Sequence, residues 1–409
     1  MDATPQTVAP DATTPQKRYS WRTFADTALK TAAQFWFVVA VIGQWIFAFY
    51  ISTVYGTTAA YGNFQAWNKT LAHGYESGNP IGNIGVGVHL LFAAVITIAG
   101  PLQLIPQIRS RFPVFHRWLG RIYIPVAFIM GVTGLYLSWS GRRVVGDLTQ
   151  HIPVEINAVL IILCAAMAWR YAVIRDFRTH RRWALRLFLV VGGVWFFRLG
   201  LMFWLLVNNG PVGFDQATFT GPFLTFLSYA QYLLPLAVLE IYLRMLEHSG
   251  AFGRLATSAL LFVLTLVMAT GIFAATTGLW LPRIKATYDP RKSIAETLSV
   301  TITSSGVDSA VKQYQDLKDA QPTVYNFDEN QLNTLGYELI RAKKFKEAVR
   351  IFQLNVEVFP QSSNTYDSLG EAYLDDGQKP EATASYQKSL QLNPNNRNAI
   401  QVLERLGAR

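Results

Sequence analysis

THRRWALRLFLVVGGVWFFRLGLMFWLLVN, residues 179–208, decides the fold. It opens with His180, Arg181, Arg182 and Arg186 and then runs apolar to Val207. That is long enough, as a helix, to cross a hydrocarbon core of about 30 Å. The basic start marks the cytoplasmic end. One charge interrupts the apolar run: Arg198, eighteen residues after His180. In an unbroken helix of about 3.6 residues per turn that spacing is five turns, which places His180 and Arg198 on one face. A charge at such depth is costly in lipid and is expected to face the interior of a bundle.

Working outward, the same pattern predicts seven spans, roughly Ala32–Tyr55, Ile84–Ile105, Val114–Ser138, Ile152–Tyr171, Trp183–Val207, Pro222–Leu243 and Leu255–Leu281. Arg109, Arg111 and Arg117, then Arg175, Arg178, Arg181 and Arg182, then Arg244 and Arg254 fall in alternate loops, on the side of Lys17, Arg18, Arg22 and Lys30. The other side has Lys69 and the dissenting pair Arg142 and Arg143. The bias puts the N-terminus in the cytoplasm and the C-terminus outside. A bacterial inner membrane with a periplasmic C-terminal domain is the expected location. Residues 1–31 are polar, with no early apolar region, and are expected to form a disordered cytoplasmic tail, the first span serving as an uncleaved anchor.

The chain has 409 residues, 51% hydrophobic and 15% charged, with a net charge of +10. Residues 283–409 hold 16 Lys+Arg and 16 Asp+Glu, leaving 20 and 10 for residues 1–282. The excess therefore belongs to loops between apolar spans, and no nucleic-acid partner is needed to explain it. Membrane lipid is the first partner. The single cysteine, Cys164, lies in an apolar span, which excludes an intrachain disulfide, a thiolate zinc site and a CxxCH haem attachment.

Past Leu281 the chain turns polar, and a helical repeat follows. Aligning Leu335-Gly336 with Leu369-Gly370 gives a period of 34 residues. One copy supplies Leu332, Leu335, Gly336, Ala348, Phe352 and Pro360; the next supplies Tyr366, Leu369, Gly370, Tyr373, Ala382, Tyr386 and Pro394. This resembles the tetratricopeptide pattern, in which small residues let two helices approach and aromatics fill the gap. Ala310, Tyr314 and Pro322 repeat half of the motif, so a degenerate earlier copy is expected to begin near Ser293, and Asn398–Leu406 is expected to cap the stack. The fold class is all-α: a seven-helix transmembrane bundle over 32–282, a linker and start of the degenerate repeat over 283–306, and a soluble tetratricopeptide α-solenoid over 307–409. The resemblance implies a concave surface for a protein or peptide partner.

Four histidines lie at or near span ends: His89 and His151 toward the outside, His116 and His180 toward the cytoplasm. Facing imidazoles across a helical core hold b-type haems in membranes. The arrangement, with Phe115-His116-Arg117-Trp118-Leu119-Gly120, resembles the cytochrome b561 family, and the resemblance implies a transmembrane electron carrier with haem b ligated by these histidines. A second resemblance covers residues 86–245. His89, Gly100-Pro101-Leu102-Gln103, His116-Arg117-x-x-Gly120-Arg121-x-Tyr123, His180-Arg181-Arg182-Trp183 and Arg198 are similar to pieces of a family of predicted bacterial membrane proteins catalogued as a domain of unknown function (number 2306). That family implies no activity, and it does not usually show a counterpart to His151.

By depth, Arg198 is expected to meet Glu155 and His89 in a buried polar cluster, and Glu240 to meet Arg186 or Arg244. Trp36, Trp45, Trp139, Trp204 and Trp280 are expected in interfacial belts. Gly82, Gly85 and Gly87 form no nucleotide loop, because no strand precedes them. No catalytic triad, HExxH or P-loop is present, and no metal or catalytic residue is assigned. The broken helices and internal repeats of many transporters are not evident in the sequence. The first expectation is thus a membrane protein that presents a tetratricopeptide domain outside the cytoplasm for binding or assembly. The alternative is the b-type haem carrier with the repeats as its docking arm.

Overall fold

Apolar length with proline and capping residues between the runs sets the helices of the membrane half. The computed structural model describes residues 21–71, 74–139, 147–216, 218–248, 250–289 and 291–407. In chain order the helices are α1 (Trp21–Ile51), α2 (Thr57–Ala60), α3 (Pro80–Leu104), α4 (Pro106–Arg111), α5 (Pro113–Trp139), α6 (Leu148–Val173), α7 (Phe177–Val191), α8 (Gly193–Asn208), α9 (Pro222–His248), α10 (Ala251–Ala275) and α11 (Leu281–Tyr288). Proline opens α3, α4, α5 and α9, where its missing N–H is not needed. The side chains of Asn79, Asp147 and Asp176 cap α3, α6 and α7 by accepting from backbone N–H groups two or three residues on.

Six helices among the described residues are long and apolar enough to cross a membrane, and α7 with α8 makes a seventh if the pair is one span. Here the structure corrects the sequence. Residues 179–208 are not one straight helix: they break at Gly192, and the two halves are bent by 50°. The five-turn spacing of His180 and Arg198 therefore fixes no common face. A broken helix, which the sequence did not show, is present.

The cause is local. Gly192 and Gly193 have poor helix propensity, and a polar neighbour supports the break. Asn157 on α6, itself buried, donates from Nδ2 to the carbonyl of Val190 at 3.1 Å. A Cβ on Gly193 would come within 2.8 Å of that same Nδ2, so glycine is required at the crossing. Irregular backbone at membrane depth is tolerated where protein satisfies it, as happens here.

Two further departures involve the long first and last helices. The first apolar helix begins at Trp21, well before Ala32, so residues 21–31 are helical, and it passes through a π-helical turn at Ser52–Gly56 into α2. The last does not stop at Leu281. It continues through a second π-helical turn, Thr276–Trp280, into α11, a helical path of 38 residues, Ala251–Tyr288. Trp280 is fully buried in that path and is not an interfacial residue. Trp45 and Trp139 are exposed on the bundle surface. In the bundle α1 packs on α10, α10 on α8, and α5 lies between α3 and α6, with α6 in turn against α7 and α9. His73, Arg142 and Arg143 lie outside the described residues.

The charged loops at one end are tied by ion pairs. Arg178 and Arg182 meet Glu247, Arg186 meets Glu240 with Nε at 2.8 Å, and Arg254 meets Asp26. The Arg186–Glu240 contact is one of the two pairings expected from sequence.

At the other end the chain enters the repeats: α12 (Ile294–Ser305), α13 (Val307–Ala320), α14 (Glu329–Arg341), α15 (Phe345–Val358), α16 (Ser363–Asp375), α17 (Lys379–Leu392) and α18 (Arg397–Arg405). A two-residue parallel bridge, β1 (Lys292–Ser293) with β2 (Tyr325–Asn326), ties the first helix pair to the second. Ser293 caps α12 through its hydroxyl. The period of 34 has a packing cause. Gly336 on α14 lies so close to the Phe352 ring on α15 that no side chain fits, and a Cβ on Gly370 would stand 2.9 Å from the Tyr386 ring. Ala348, Phe352, Ala382 and Tyr386 are buried at these contacts, and α18 closes the last pair through Ala399, Val402 and Leu403. The all-α class and the two-part architecture are as the sequence predicts.

Candidate functional site

The structure distributes the expected membrane site over three places. His116, near the start of α5, and His180, near the start of α7, lie close enough for charge on one to act on the other. His180 shares a hydrogen bond between Nδ1 and the carbonyl of Ala168 at 2.8 Å, which orients its ring. Among the described residues the buried Nδ1 of His116 has no partner, and the backbone carbonyl of His116 accepts from Gln103 Nε2 at 3.0 Å. A ring oriented through one nitrogen is the pattern of a metal-ligating histidine; it holds for His180, whereas no such hydrogen bond orients the His116 ring among the described residues, so the pair offers two imidazoles of which one is oriented.

The outer pair is not assembled in that way. His151 is buried at the start of α6, where its charge reaches Asp147. His89 is on α3, and α5 packs between the two helices.

Of the expected cluster of His89, Glu155 and Arg198, the first and last lie within electrostatic reach of each other and Glu155 makes a different contact. The Nδ1 of His89 is buried and has no partner among the described residues. Glu155 instead accepts from Ser138 Oγ at 2.9 Å and lines an apolar groove with Tyr136, Trp139 and Ile156. Among the described residues no carboxylate pairs with Arg198. Depth along a helix was legible in the sequence, but direction around it was not, and Glu155 points toward α5.

A different cleft forms where the repeats meet the membrane half. The loop between α8 and α9 folds on itself through an antiparallel bridge from Asp215 to Thr220 and offers Pro211, Phe214 and Asp215 to the repeat domain. Across from it stand Glu371, Asp375 and Tyr386 of the second repeat and Gln401 of the capping helix, around a volume of 780 Å³. Arg397 Nη1 donates to Asn208 Oδ1 at 2.7 Å, joining the capping helix to the end of α8.

The cleft is acidic, and its charges are strained. Burial pushes Glu371 up to about 7, with Asp367, Asp375 and Asp215 adding to the rise, although the Tyr337 hydroxyl donates to its Oε2 at 2.9 Å. Burial also raises Asp375, and Asp215 raises it further. Asp367 is raised by burial and held back by amides of Asn398 and Asn396, at 2.9 and 2.8 Å. Sequence reading used the signature residues of the repeat and missed these carboxylates. Asp367, Glu371 and Asp375 recur at intervals of four, one face of a helix, which was the available signal. Nothing in the sequence brought Asp215 to them.

Residues 86–221 match the family model described as predicted membrane protein (DUF2306), and residues 363–396 match that of the tetratricopeptide repeat. No curated protein and no solved structure matches the chain. The first match spans α3 to the α8–α9 loop and so includes His89, His116, His151, Glu155, His180 and Arg198. The second covers α16 and α17, the helices that carry Glu371 and Tyr386. The chain thus carries a membrane part that is similar, over residues 86–221, to the DUF2306 proteins, and a tetratricopeptide repeat of the kind that binds other proteins.

Proposed function

We propose that the protein anchors a tetratricopeptide clamp on the extracytoplasmic face of a bacterial inner membrane, and that the clamp holds a protein or peptide partner for binding or assembly. The observation that carries this reading is the acidic cleft between the α8–α9 loop and the second repeat. Asp215, Glu371 and Asp375 leave it rich in acceptors, and buried carboxylates that resist ionisation gain most from a cationic partner group. The orientation is supported by the arginines of the α4–α5, α6–α7 and α9–α10 junctions, all at the end remote from the repeats.

The test has two arms. A reporter active only outside the cytoplasm, fused after Arg409, is expected to be active; activity of a cytoplasm-only reporter there would remove the orientation. A photo-crosslinker at Gln401, in the cleft, is expected to capture a partner in cells. One at Lys346, on the first residues of α15, serves as control. Capture that is equal at the two positions, or unchanged in Asp375→Lys, would remove the cleft as the binding surface.

A second reading, a b-type haem electron carrier with the repeats as docking arm, is favoured by one observation: the juxtaposed His116 and His180 with their differently engaged ring nitrogens. Haem b held there would supply one-electron chemistry. A reduced-minus-oxidised visible spectrum of protein expressed with haem should then show α and Soret bands that vanish in His116→Ala or His180→Ala. A flat spectrum from folded protein would retire this reading.

A further inference from the structure

At the repeat-bearing end of the bundle two arginines, Arg198 and Arg283, meet no carboxylate among the described residues. Arg198 of α8 donates from Nη1 to the carbonyl of Val194 at 3.3 Å, and its guanidinium lies 5.4 Å from the centre of the Phe47 ring. Arg283 of α11 donates to the Tyr50 hydroxyl at 3.3 Å. Each arginine is within electrostatic reach of the other. Neither forms an ion pair among the described residues. Near the opposite end of the same bundle Arg182, Arg186 and Arg254 each meet a carboxylate. An arginine left unpaired in a low dielectric is costly, and such residues recur on substrate and ion pathways.

The surroundings add donors without acceptors. Among the described residues the indole N–H groups of Trp195 and Trp280, residues only 3% and 0% exposed, have no hydrogen-bond partner. Neither do Nδ1 of His89, beside Arg198, and Oγ1 of Thr276. Trp195, Trp280, Phe47, Tyr50 and Tyr55 belong to one buried cluster, with Trp280 5.2 Å from Phe47 and 6.1 Å from Tyr50 between ring centres. Buried donors left unpaired are rare in native structures and call for a partner.

The backbone is irregular at the same place. The π-helical turn in the first helix carries Tyr55, and the one between α10 and α11 carries Thr276 and Trp280. Single π turns forgo regular helical hydrogen bonding and recur at functional sites. Two of them, on packed neighbours, converge on the two arginines. The loop after α2 covers this region through Trp67, whose indole donates to Thr58 Oγ1 at 3.0 Å.

We propose that this cluster is a binding site for an amphipathic molecule bearing an oxyanion, carboxylate or phosphate. Arg198 and Arg283 take the oxyanion, since a guanidinium matches either group with paired N–H donors. The unsatisfied indole and imidazole groups supply neutral donors, and the rings of Phe47, Tyr50 and Trp280 face the apolar part. The site is independent of the repeat cleft. The oxyanion has two sources: a lipid head group from the adjoining leaflet, or a soluble organic anion.

Tryptophan fluorescence of the full-length protein tests it, because two of the site's donors are indoles. Inorganic phosphate and decanoate are titrated in neutral detergent. In a separate arm, nanodiscs of phosphatidylglycerol are compared with nanodiscs of phosphatidylcholine. Arg198→Gln and Arg283→Gln are expected to weaken the response at least tenfold, and Arg182→Gln, at the other end, to leave it unchanged. A response to decanoate or phosphate identifies a soluble anion; a response confined to phosphatidylglycerol identifies a lipid. Thermal unfolding provides a second readout: the effective anion should raise the midpoint of the wild type and not that of Arg198→Gln. If no probe distinguishes the wild type from both glutamine variants by either readout, the proposal is overturned.

Discussion

The side-chain amide of Asn157 donates to the backbone carbonyl of Val190 across the gap between two helices, at the point where the chain turns by 50°. This contact satisfies a carbonyl that the break would leave bare, and the same amide occupies the space where Gly193 lacks a Cβ. Asn157→Ala is expected to lower the stability of the membrane domain by about 1 kcal/mol, the scale of an interhelical hydrogen bond in lipid. Gly193→Ala should cost about 1–3 kcal/mol by overpacking. Thermal unfolding in detergent should find the double variant less damaged than the sum, because alanine at 157 vacates the space that the new methyl needs. Strict additivity would show that the two residues do not share the site.

Gly336 and Gly370 differ in how tightly the next helix presses on them. Gly336→Ala drives a methyl into the Phe352 ring, whereas at Gly370 the nearest Tyr386 ring atom is 2.9 Å away. Limited proteolysis of the full chain in denaturant should show both variants destabilised, by about 1–3 kcal/mol, with Gly336→Ala the worse. Phe352→Leu added to Gly336→Ala should recover part of the loss.

Glu371 gives the repeat domain a pH dependence. Its folded-state value is about 7, against 4.5 for the free side chain, so between these values the folded domain binds protons that the unfolded chain has released. Its contribution is therefore most favourable below about pH 4.5 and is lost as pH rises toward 7. Glu371→Gln should remove that slope and leave the domain about 1–3 kcal/mol more stable than wild type above pH 7. Denaturation series at pH 5 and 8 provide the check, and an unchanged slope in the glutamine variant would refute the assignment.

The Arg186–Glu240 pair joins α7 to α9, with side chains 22% and 40% exposed. Because the pair is partly open, removing either partner should cost about 1–2 kcal/mol rather than the larger penalty of a fully buried pair. The exchange Arg186→Glu with Glu240→Arg should restore part of the stability lost in either single charge reversal. If the exchange is no better than the singles, the contact contributes by packing and not by charge.

The sequence was most informative where a periodic contact repeats. The 34-residue spacing of Leu335-Gly336 and Leu369-Gly370 reports a helix pair that must approach closely twice, and the structure contains that approach. Apolar length likewise located the spans, because lipid sets a minimum. Neither signal carries direction around a helix. Glu155 has a depth suited to Arg198, yet it turns to Ser138. The break at Gly192 was hidden for a related reason: hydropathy continues across it, and the residue that supports it, Asn157, is on another helix. The unpaired donor of Trp280 was equally silent, since an aromatic near a span end reads as an interfacial anchor until its burial is seen.

The repeat array is fastened twice. Its first helix follows the long α10–α11 path out of the bundle, and its last is held by Arg397 to Asn208. A superhelix tethered at one end swings like a hinged arm, and its curvature is its own affair. One pinned at both ends behaves as a drawn bow, whose curvature is set by the distance between the pins. In this protein one pin is the tip of α8, the short rod that begins at the break and carries Arg198. Any opening of the array therefore pulls on the tip of that rod through the Arg397–Asn208 contact.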